Sequence, residues 1–403
     1  MAETLATNLP MSYLEKISSG PSLLHSDDRA SDLGVARAAA LPAADVEEWR
    51  KNKASAFPWS LVESADEHTR LDVSVTVRNG LTPDALTATA QDREMFAPLL
   101  AIEPDNFDGK FLHYHRALTP QPVCLRIPAK SERVVLDLTH RHHGPGLAAP
   151  TTLIIVERGA EAVVYDRWFS DQETAWIGRT EIIVRQGARL HFVQDENVPR
   201  TSSIYRTGRI TVERDGYVNW CTFTTGAAWH LSKLRFDLVG INTEAHLSGL
   251  FAGDETEFAE HRTHQHHNTP NGFSNLLFKT MLAGQAHSIY QGIITVPQHA
   301  QKTDAYQTCR NLMLDPGTHA DAIPKLEIIA DDVKCSHGAS IGTLNKDQMF
   351  YLQARGLTRR QAMTAVAMGF AEEVIQTVPE VFEDVRQSWR ERVALAVGRA
   401  SGE

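Results

Sequence analysis

The sequence predicts a mainly β protein whose core is a β-solenoid, flanked by helical regions at both ends. Between residues 133 and 297, apolar and β-branched residues alternate with polar ones over short runs, which is typical of strands. Turn residues precede three of these runs at Gly159, Gly187 and Gly216, and the two intervals in sequence number, 187 − 159 = 28 and 216 − 187 = 29, are nearly equal. A fixed period of this length is typical of stacked solenoid coils, each of which buries its apolar face against its neighbours.

We predict three regions along the chain. A helical and mixed region covers residues 1–110, the solenoid core covers residues 111–342, and a helical subdomain covers residues 343–403. An antiparallel sandwich or barrel, with hairpins that recur evenly, is the alternative that the spacing leaves open for the core.

Helix signals mark both ends of the chain. Residues 1–60 mix helix-compatible segments with Pro and Gly. Towards the other end, Asn345 can cap a short helix, and Thr358 with Gln361 fits a capping box that opens a longer one, which Pro379 closes. The last segment spaces its apolar residues at three and four positions, so the tail is predicted to be helical and is a candidate docking surface.

Composition restricts the partners and the compartment. The 403 residues include 40 Lys and Arg against 50 Asp and Glu, and the net charge of −10 opposes binding to nucleic acid or to an anionic membrane. The first thirty residues contain no apolar run long enough for a secretory signal or a membrane span, so a cytoplasmic location is expected. Four cysteines without a CxxC pair predict reduced thiols rather than a disulfide framework.

Cys335 and His337 are the first candidates for chemistry, because a strand would present both side chains on one face, with Cα atoms about 7 Å apart. Thiolate and imidazole suit Zn, Cu or Fe-S chemistry better than Mg or Ca. The alternative is a packed thiol beside a surface histidine, since free Cys is among the most buried residue types.

Cys309 is a second candidate thiol, and it precedes Cys335 by a sequence separation of 335 − 309 = 26. This separation is close to the repeat length, so we expect the two thiols to stack on adjacent coils, about 4.8 Å apart. Cys309 would then be a second sulfur ligand or a sulfur-accepting thiol. The alternative is a small buried hydrophobe.

Two histidine pairs leave open an alternative function, that of a mononuclear metal enzyme. His140/His142 and His264/His266 have the i, i+2 spacing of cupin-like sites, but no glutamate follows at the short spacing that such a site needs. We therefore expect these histidines to be solvated. The sequence has no GxxxxGK[ST] loop, which argues against ATP hydrolysis by this chain, and no GxSxG or HExxH motif supports a serine hydrolase or a zincin.

The stretch PKLEIIADDVKCSHGASIG, residues 324–342, resembles the signature of the SufB/SufD family of iron-sulfur cluster assembly proteins, and within it the SufD type. The family resemblance implies a right-handed parallel β-helix, which favours the solenoid over the sandwich or barrel. The resemblance extends to further motifs: the LP...E.W pattern of Leu41, Pro42, Glu47 and Trp49, then Lys279-Thr280, Gly292, Gln298-His299-Ala300, Lys302-Thr303-Asp304, Phe350-Tyr351-Leu352 and Arg355-Gly356.

The resemblance also implies a non-enzymatic scaffold subunit that binds no nucleotide. It would pair with a SufB-type paralogue, with a homodimer as the alternative, and dock a SufC-type ABC ATPase, which supplies the ATPase activity. A nascent iron-sulfur cluster would be held transiently at the subunit interface, with His337 and Cys335 as metal ligands and Cys309 as a further group, because one Cys/His pair cannot provide four ligands. Five apolar positions would bury against the ATPase or pack the helices onto the solenoid: Phe350, Tyr351, Leu352, Phe370 and Ile375.

Two rival functions remain. Cys309 favours a SufB-like primary scaffold, because the family's SufB members carry a cysteine in the corresponding segment, whereas the ADDVKCSHGA stretch favours the SufD type. The other rival is an independent metal-dependent, cupin-like or carbohydrate-active β-helix enzyme.

Overall fold

The computed structural model describes residues 26–42, 49–52, 54–63, 71–79, 81, 86, 88–102, 108–120 and 122–400. Glu47 of the LP...E.W pattern and most of the first thirty residues lie outside this range. The helices are α1 Ser26–Ala38, α2 Trp59–Glu63, α3 Ala90–Glu94, α4 Gly109–Leu118, α5 Lys346–Ala354, α6 Arg359–Ile375 and α7 Glu383–Gly398, with 3-10 turns at Ala54–Ala56 and Glu380–Phe382. The strands are β1 Leu71–Val77, β2 Val123–Ile127, β3 Val134–His142, β4 Gly146–Ala148, β5 Thr151–Val156, β6 Glu161–Ser170, β7 Thr174–Val184, β8 Arg189–Asn197, β9 Ser203–Val212, β10 Tyr217–Thr225, β11 Trp229–Leu238, β12 Glu244–Gly253, β13 Phe258–His267, β14 Phe273–Leu282, β15 His287–Val296, β16 Asp304–Met313, β17 His319–Ile328 and β18 Lys334–Thr343.

The strands form two sheets, which are the walls of a parallel β-helix of about eight turns. Sheet A has the order β1-β3-β6-β8-β10-β12-β14-β16-β18, and sheet B has the order β2-β5-β7-β9-β11-β13-β15-β17, with β4 beside β7. In the described part of the chain, β1 and β3 are the antiparallel pair, and the other neighbours run parallel. The predicted solenoid is confirmed, whereas the sandwich or barrel is wrong, because hairpins would give antiparallel neighbours.

The sequence repeat comes from a turn that recurs in successive coils. It lies at the same place in each of them, just before the strand of sheet A. Five successive turns contain a residue with φ between 56° and 65°: Gly187, Asp215, Asn242, Asn271 and Lys302. This left-handed region is open to Gly and is more accessible to Asn and Asp than to most other residues. Gly159 and Gly187 therefore reflect a real backbone requirement, whereas Gly216 follows the residue that meets it, Asp215. Asn242, Asn271 and Lys302 meet the same requirement in the later coils.

Helices cover the outer faces of both sheets. On sheet A, Trp389 of α7 is fully buried and lies 4.8 Å from the ring of Phe223, measured between centroids. On sheet B, Phe111 of α4 stacks on Tyr205 at 4.1 Å. In the described part of the chain, no helix combines the length and the apolar character that crossing a membrane would require.

The predicted capping signals of the C-terminal helices are confirmed. The Asn345 side chain accepts hydrogen bonds from two backbone amides at the start of α5. Thr358 and Gln361 form both hydrogen bonds of the capping box at the start of α6. These caps satisfy amide groups that a helix N-terminus otherwise leaves without partners.

The two ends of the β-helix differ. At the first end, β1 extends sheet A by pairing with β3. At the other end, β17 and β18 are the last strands of sheets B and A, and most residues of β18 are exposed. The interior of the solenoid therefore opens at the strand that carries Cys335 and His337.

Candidate functional site

Cys335 and His337 both lie on the inward-facing side of β18. Their neighbours in the preceding coil are Ala305 and Gln307, which are buried inside the solenoid. Cys335 is half-buried and His337 is exposed, because β18 ends sheet A in the described part of the chain, where no further coil covers these positions. The structure therefore presents a thiol and an imidazole together at the open end of the solenoid.

The surroundings of Cys335 keep its thiol protonated. Partial burial raises the pKa of this thiol above its usual range, and a hydrogen bond with the backbone of Ala305 only partly opposes that effect. The thiolate is the form that binds metal, so coordination at Cys335 must release a proton. An incoming cation lowers the energy of the thiolate, which makes the site responsive to metal.

Cys309 does not stack on Cys335, so the predicted stacking is wrong. Cys309 is paired with Ala339, and Cys335 with Ala305, which makes the sequence step between these coils 335 − 305 = 30 rather than 26. The two thiols are thus displaced by four positions along the strands, about 13 Å. Cys309 is fully buried, and burial raises its pKa to about 12, so the geometry favours the buried-thiol alternative for this residue.

The five predicted docking residues fall into three groups. Phe350 and Tyr351 on α5 are 73% and 57% exposed. Leu352 and Phe370 are half-buried, and the Lys279 ammonium lies 4.5 Å from the centroid of the Phe370 ring. Ile375 is not exposed for docking; it is fully buried in the cluster formed by the C-terminal helices and sheet A, which agrees with the alternative that it packs the helices onto the solenoid. The periodicity of α6 turns Ile375 towards the sheet.

The histidines predicted to be solvated are largely enclosed. His140 and His142 lie inside the solenoid, and the Nε2 atom of His140 is 3.3 Å from an Asp166 carboxylate oxygen. His264 is half-buried, with its Nε2 atom 2.9 Å from the hydroxyl of Thr295. The expectation of solvated side chains is therefore wrong for His140 and His142, whereas His264 and His266 remain partly exposed. In the described residues, neither predicted pair belongs to a group of three metal-ligating side chains.

The solenoid interior also contains a buried ion network, which sequence analysis missed. Glu196 accepts a hydrogen bond from Arg206 at 3.1 Å and lies 2.7 Å from the Nε2 atom of His230. Burial opposes ionisation of Glu196, but His230 and Arg206 outweigh it and hold the pKa of the carboxyl below its usual range. An alternating strand pattern gives no sign of such a network, because its members come from three different strands, β8, β9 and β11.

The fold and the site together define a class of protein: a parallel β-helix that presents a cysteine and a histidine at an open end, beside a helical subdomain. Residues 139–370, more than half of the chain, match the family described as SUF system FeS cluster assembly, SufBD core domain. The chain belongs to this family of iron-sulfur cluster assembly proteins.

Individual relatives agree with that assignment. The iron-sulfur cluster assembly protein SufD of Escherichia coli K12 is 29% identical over 241 residues, which cover 59% of this chain and 55% of the relative. The chloroplastic protein ABCI7 of Arabidopsis thaliana is 28% identical over 250 residues, 60% of this chain and 52% of the relative. A SufBD family protein of Mycobacterium bovis is 34% identical over 258 residues, 60% and 61% of the two chains. The chain thus spans about half the length of the first two of these relatives.

Proposed function

We propose that this chain is a SufD-type subunit of a SUF scaffold complex. It pairs with a SufB-type paralogue at the open end of its β-helix, docks a SufC-type ATPase on its C-terminal helices, and contributes Cys335 and His337 to a nascent iron-sulfur cluster. The observation that carries the proposal is the position of these two residues on the exposed last strand, where the sheet ends.

An unpaired last strand is a natural place for a protein partner. Its backbone amide and carbonyl groups can extend a sheet into a second chain, which gives β-strand addition its affinity. Apolar side chains add to this at the open end, since Ile341 of β18 is 50% exposed and Ile329, just after β17, is 65% exposed. A second β-helix placed end to end would cover both.

The residues at the open end fit a shared cluster better than a complete one. Sulfur and imidazole are ligands that iron-sulfur clusters accept, but such clusters commonly take four protein ligands. Cys335 and His337 provide two ligands on one face of one strand. The remaining ligands would come from the partner, so the cluster, as cargo, would be held between the subunits.

The C-terminal helices support the proposed ATPase contact. Phe350 and Tyr351 are large apolar side chains that the chain leaves exposed, next to each other on α5. The helix that follows, α6, packs on sheet A through buried residues that include Ala367 and Ala371. Movement of a docked ATPase could therefore be transmitted to the β-helix and alter access to Cys335 and His337.

Co-expression with the SufB-type and SufC-type proteins of the same organism tests the proposal. The three should co-purify and contain iron and acid-labile sulfide. His337→Ala should leave the complex assembled and lower its cluster content, whereas His246→Ala, which changes a half-exposed histidine on the outer side of sheet A, should not. Unchanged cluster content in the His337→Ala complex would contradict the ligand role.

The pairing surface has its own test. Ile341→Glu places a charge at the open end and should abolish binding to the SufB-type partner, because a buried unpaired charge is costly at an interface. Leu395→Glu is the matched control, since Leu395 is 60% exposed on α7, away from the open end. Equal binding by both variants would contradict the proposed interface. An Fe-S absorbance band formed by the isolated chain would instead favour a primary scaffold.

A further inference from the structure

A second group of metal-ligating side chains lies on the outer face of sheet B, near the same end of the solenoid. His287 begins β15, and His319 begins β17 directly beside it, because the two residues are register partners. Asp321 follows His319 by two positions, so both project from the same face of β17. The ligand atoms of these three side chains all lie within 4.8 Å of one another.

The distances between the ligand atoms match the edges of a coordination tetrahedron. The Oδ2 atom of Asp321 is 3.4 Å from the Nε2 atom of His287 and 3.5 Å from the Nε2 atom of His319. These separations are longer than ordinary hydrogen bonds. Bonds of 2.0–2.1 Å to a tetrahedral Zn(II) ion place neighbouring ligands roughly 3.4 Å apart. One carboxylate oxygen thus faces both imidazoles at the spacing that a shared ion requires.

The surrounding residues hold the three ligands in place. Lys51 forms an ion pair with Oδ1 of Asp321, which leaves the Oδ2 atom directed at the histidines. The ring of Phe258 packs edge-on against His287, with centroids 5.3 Å apart. The rings of His287 and His319 are themselves edge-on, at 4.7 Å. Such outer contacts orient ligands before an ion arrives.

The group is also accessible. The side chains of His319, His287 and Asp321 are 65%, 32% and 19% exposed. An ion can therefore enter from solvent, and water can complete its coordination. Imidazole and carboxylate in this ratio suit Zn(II) and Co(II), whereas Mg(II) and Ca(II) prefer oxygen ligands.

We propose that His287, His319 and Asp321 form a Zn(II)-class binding site, with two Nε2 atoms and one carboxylate oxygen as ligands and a water molecule as the fourth. The bound ion would link β15 to β17 and so stabilise the last strand of sheet B. The site is separate from Cys335 and His337, and it does not depend on the proposed role in cluster assembly.

Binding of Co(II) and Zn(II) to the full chain tests this site. Co(II) at this site should produce visible d–d bands that persist, without a thiolate charge-transfer band, in the Cys335→Ser/His337→Ala variant, since the ligand set contains no sulfur, and Zn(II) should displace it. His319→Ala and Asp321→Asn should each weaken binding by at least the roughly 10- to 100-fold that loss of an outer-shell partner causes. Asp321→Asn nearly preserves the side-chain shape, which guards against a folding defect.

Two controls make the result decisive. His246→Ala removes a histidine that is paired with a single carboxylate, Glu244, at 2.7 Å and should retain full binding. The double variant Cys335→Ser/His337→Ala should also retain it. Absence of binding to the parent chain, equal binding by the His319→Ala variant, or loss only in the double variant would each overturn the proposal. Metal-induced thermal stabilisation that His319→Ala abolishes would support it.

Discussion

The open end predicts that one thiol of the native chain reacts rapidly and three do not. Cys124, Cys221 and Cys309 are buried, while Cys335 is half-buried on the last strand. Burial raises the pKa of Cys309 to about 12, so at pH 8 only about one in 10⁴ of its thiols is ionised. The thiolate is the reactive form, so Cys309 should react about 10⁴-fold more slowly than a fully ionised thiol even before access is considered. Partial burial also raises the pKa of Cys335, so the advantage of Cys335 is mainly its access to reagent.

Iodoacetamide labelling followed by mass spectrometry of the tryptic peptides measures this difference. The native chain should incorporate one label quickly, at Cys335, and all four cysteines should label in guanidinium. Cys335→Ser should abolish the rapid phase. Rapid labelling of a second cysteine in the native chain, or a rapid phase that survives Cys335→Ser, would refute the description of the open end. Addition of the SufB-type partner should slow labelling of Cys335 if the proposed interface covers it.

Three further predictions concern stability, each measured by denaturant unfolding. Trp389→Ala should cost about 3–5 kcal/mol, because the ring is fully buried between α7 and sheet A, whereas Leu395→Ala on the exposed side of α7 should change stability by less than about 0.5 kcal/mol. Glu196→Ala should cost about 3–5 kcal/mol, since it leaves the buried Arg206 without its partner, and a cost below about 1 kcal/mol would contradict that account. Burial lowers the pKa of His267 to about 4, so the folded chain binds fewer protons than the unfolded chain between about pH 6.5 and 4, and stability should fall as the pH drops through that window. His267→Gln should reduce this slope by about 1.4 kcal/mol per pH unit, and an unchanged slope would assign the acid sensitivity to other groups.

The fold was predictable because its determinant is local and repeated. The turns that precede β6, β8, β10, β12, β14 and β16 each contain a left-handed residue, so Gly187 and Asp215 appear at a spacing that the sequence displays. The capping residues of α5 and α6 were predictable for a similar reason, since a cap depends on side chains within three residues of it. Features that one coil can specify alone were therefore visible in the sequence.

The site was less predictable because it depends on register between coils. The sequence step from β16 to β18 is 335 − 305 = 30, whereas Cys309 and Cys335 are 26 residues apart, and this mismatch of four positions separates the two thiols. His287 and His319 meet across a still longer sequence step, 319 − 287 = 32, which no motif indicates. Turn lengths set these steps, and a small difference in the length of a turn decides which side chains become neighbours.

The inward-facing column of side chains at the open end shows how the last coil differs from the rest of the core. Leu276 of β14 is followed in register by Gln307 of β16 and then by His337 of β18, so the column changes from apolar to polar towards the end. A permanently exposed strand at a sheet edge is usually protected by charged or polar side chains, and a permanently covered end is mainly apolar. The last strand instead combines His337 with the half-buried Cys335 and the exposed Ile341. That mixture favours an end that a partner covers and that carries metal-ligating side chains. The labelling rate of Cys335 with and without the partner tests whether the partner covers it.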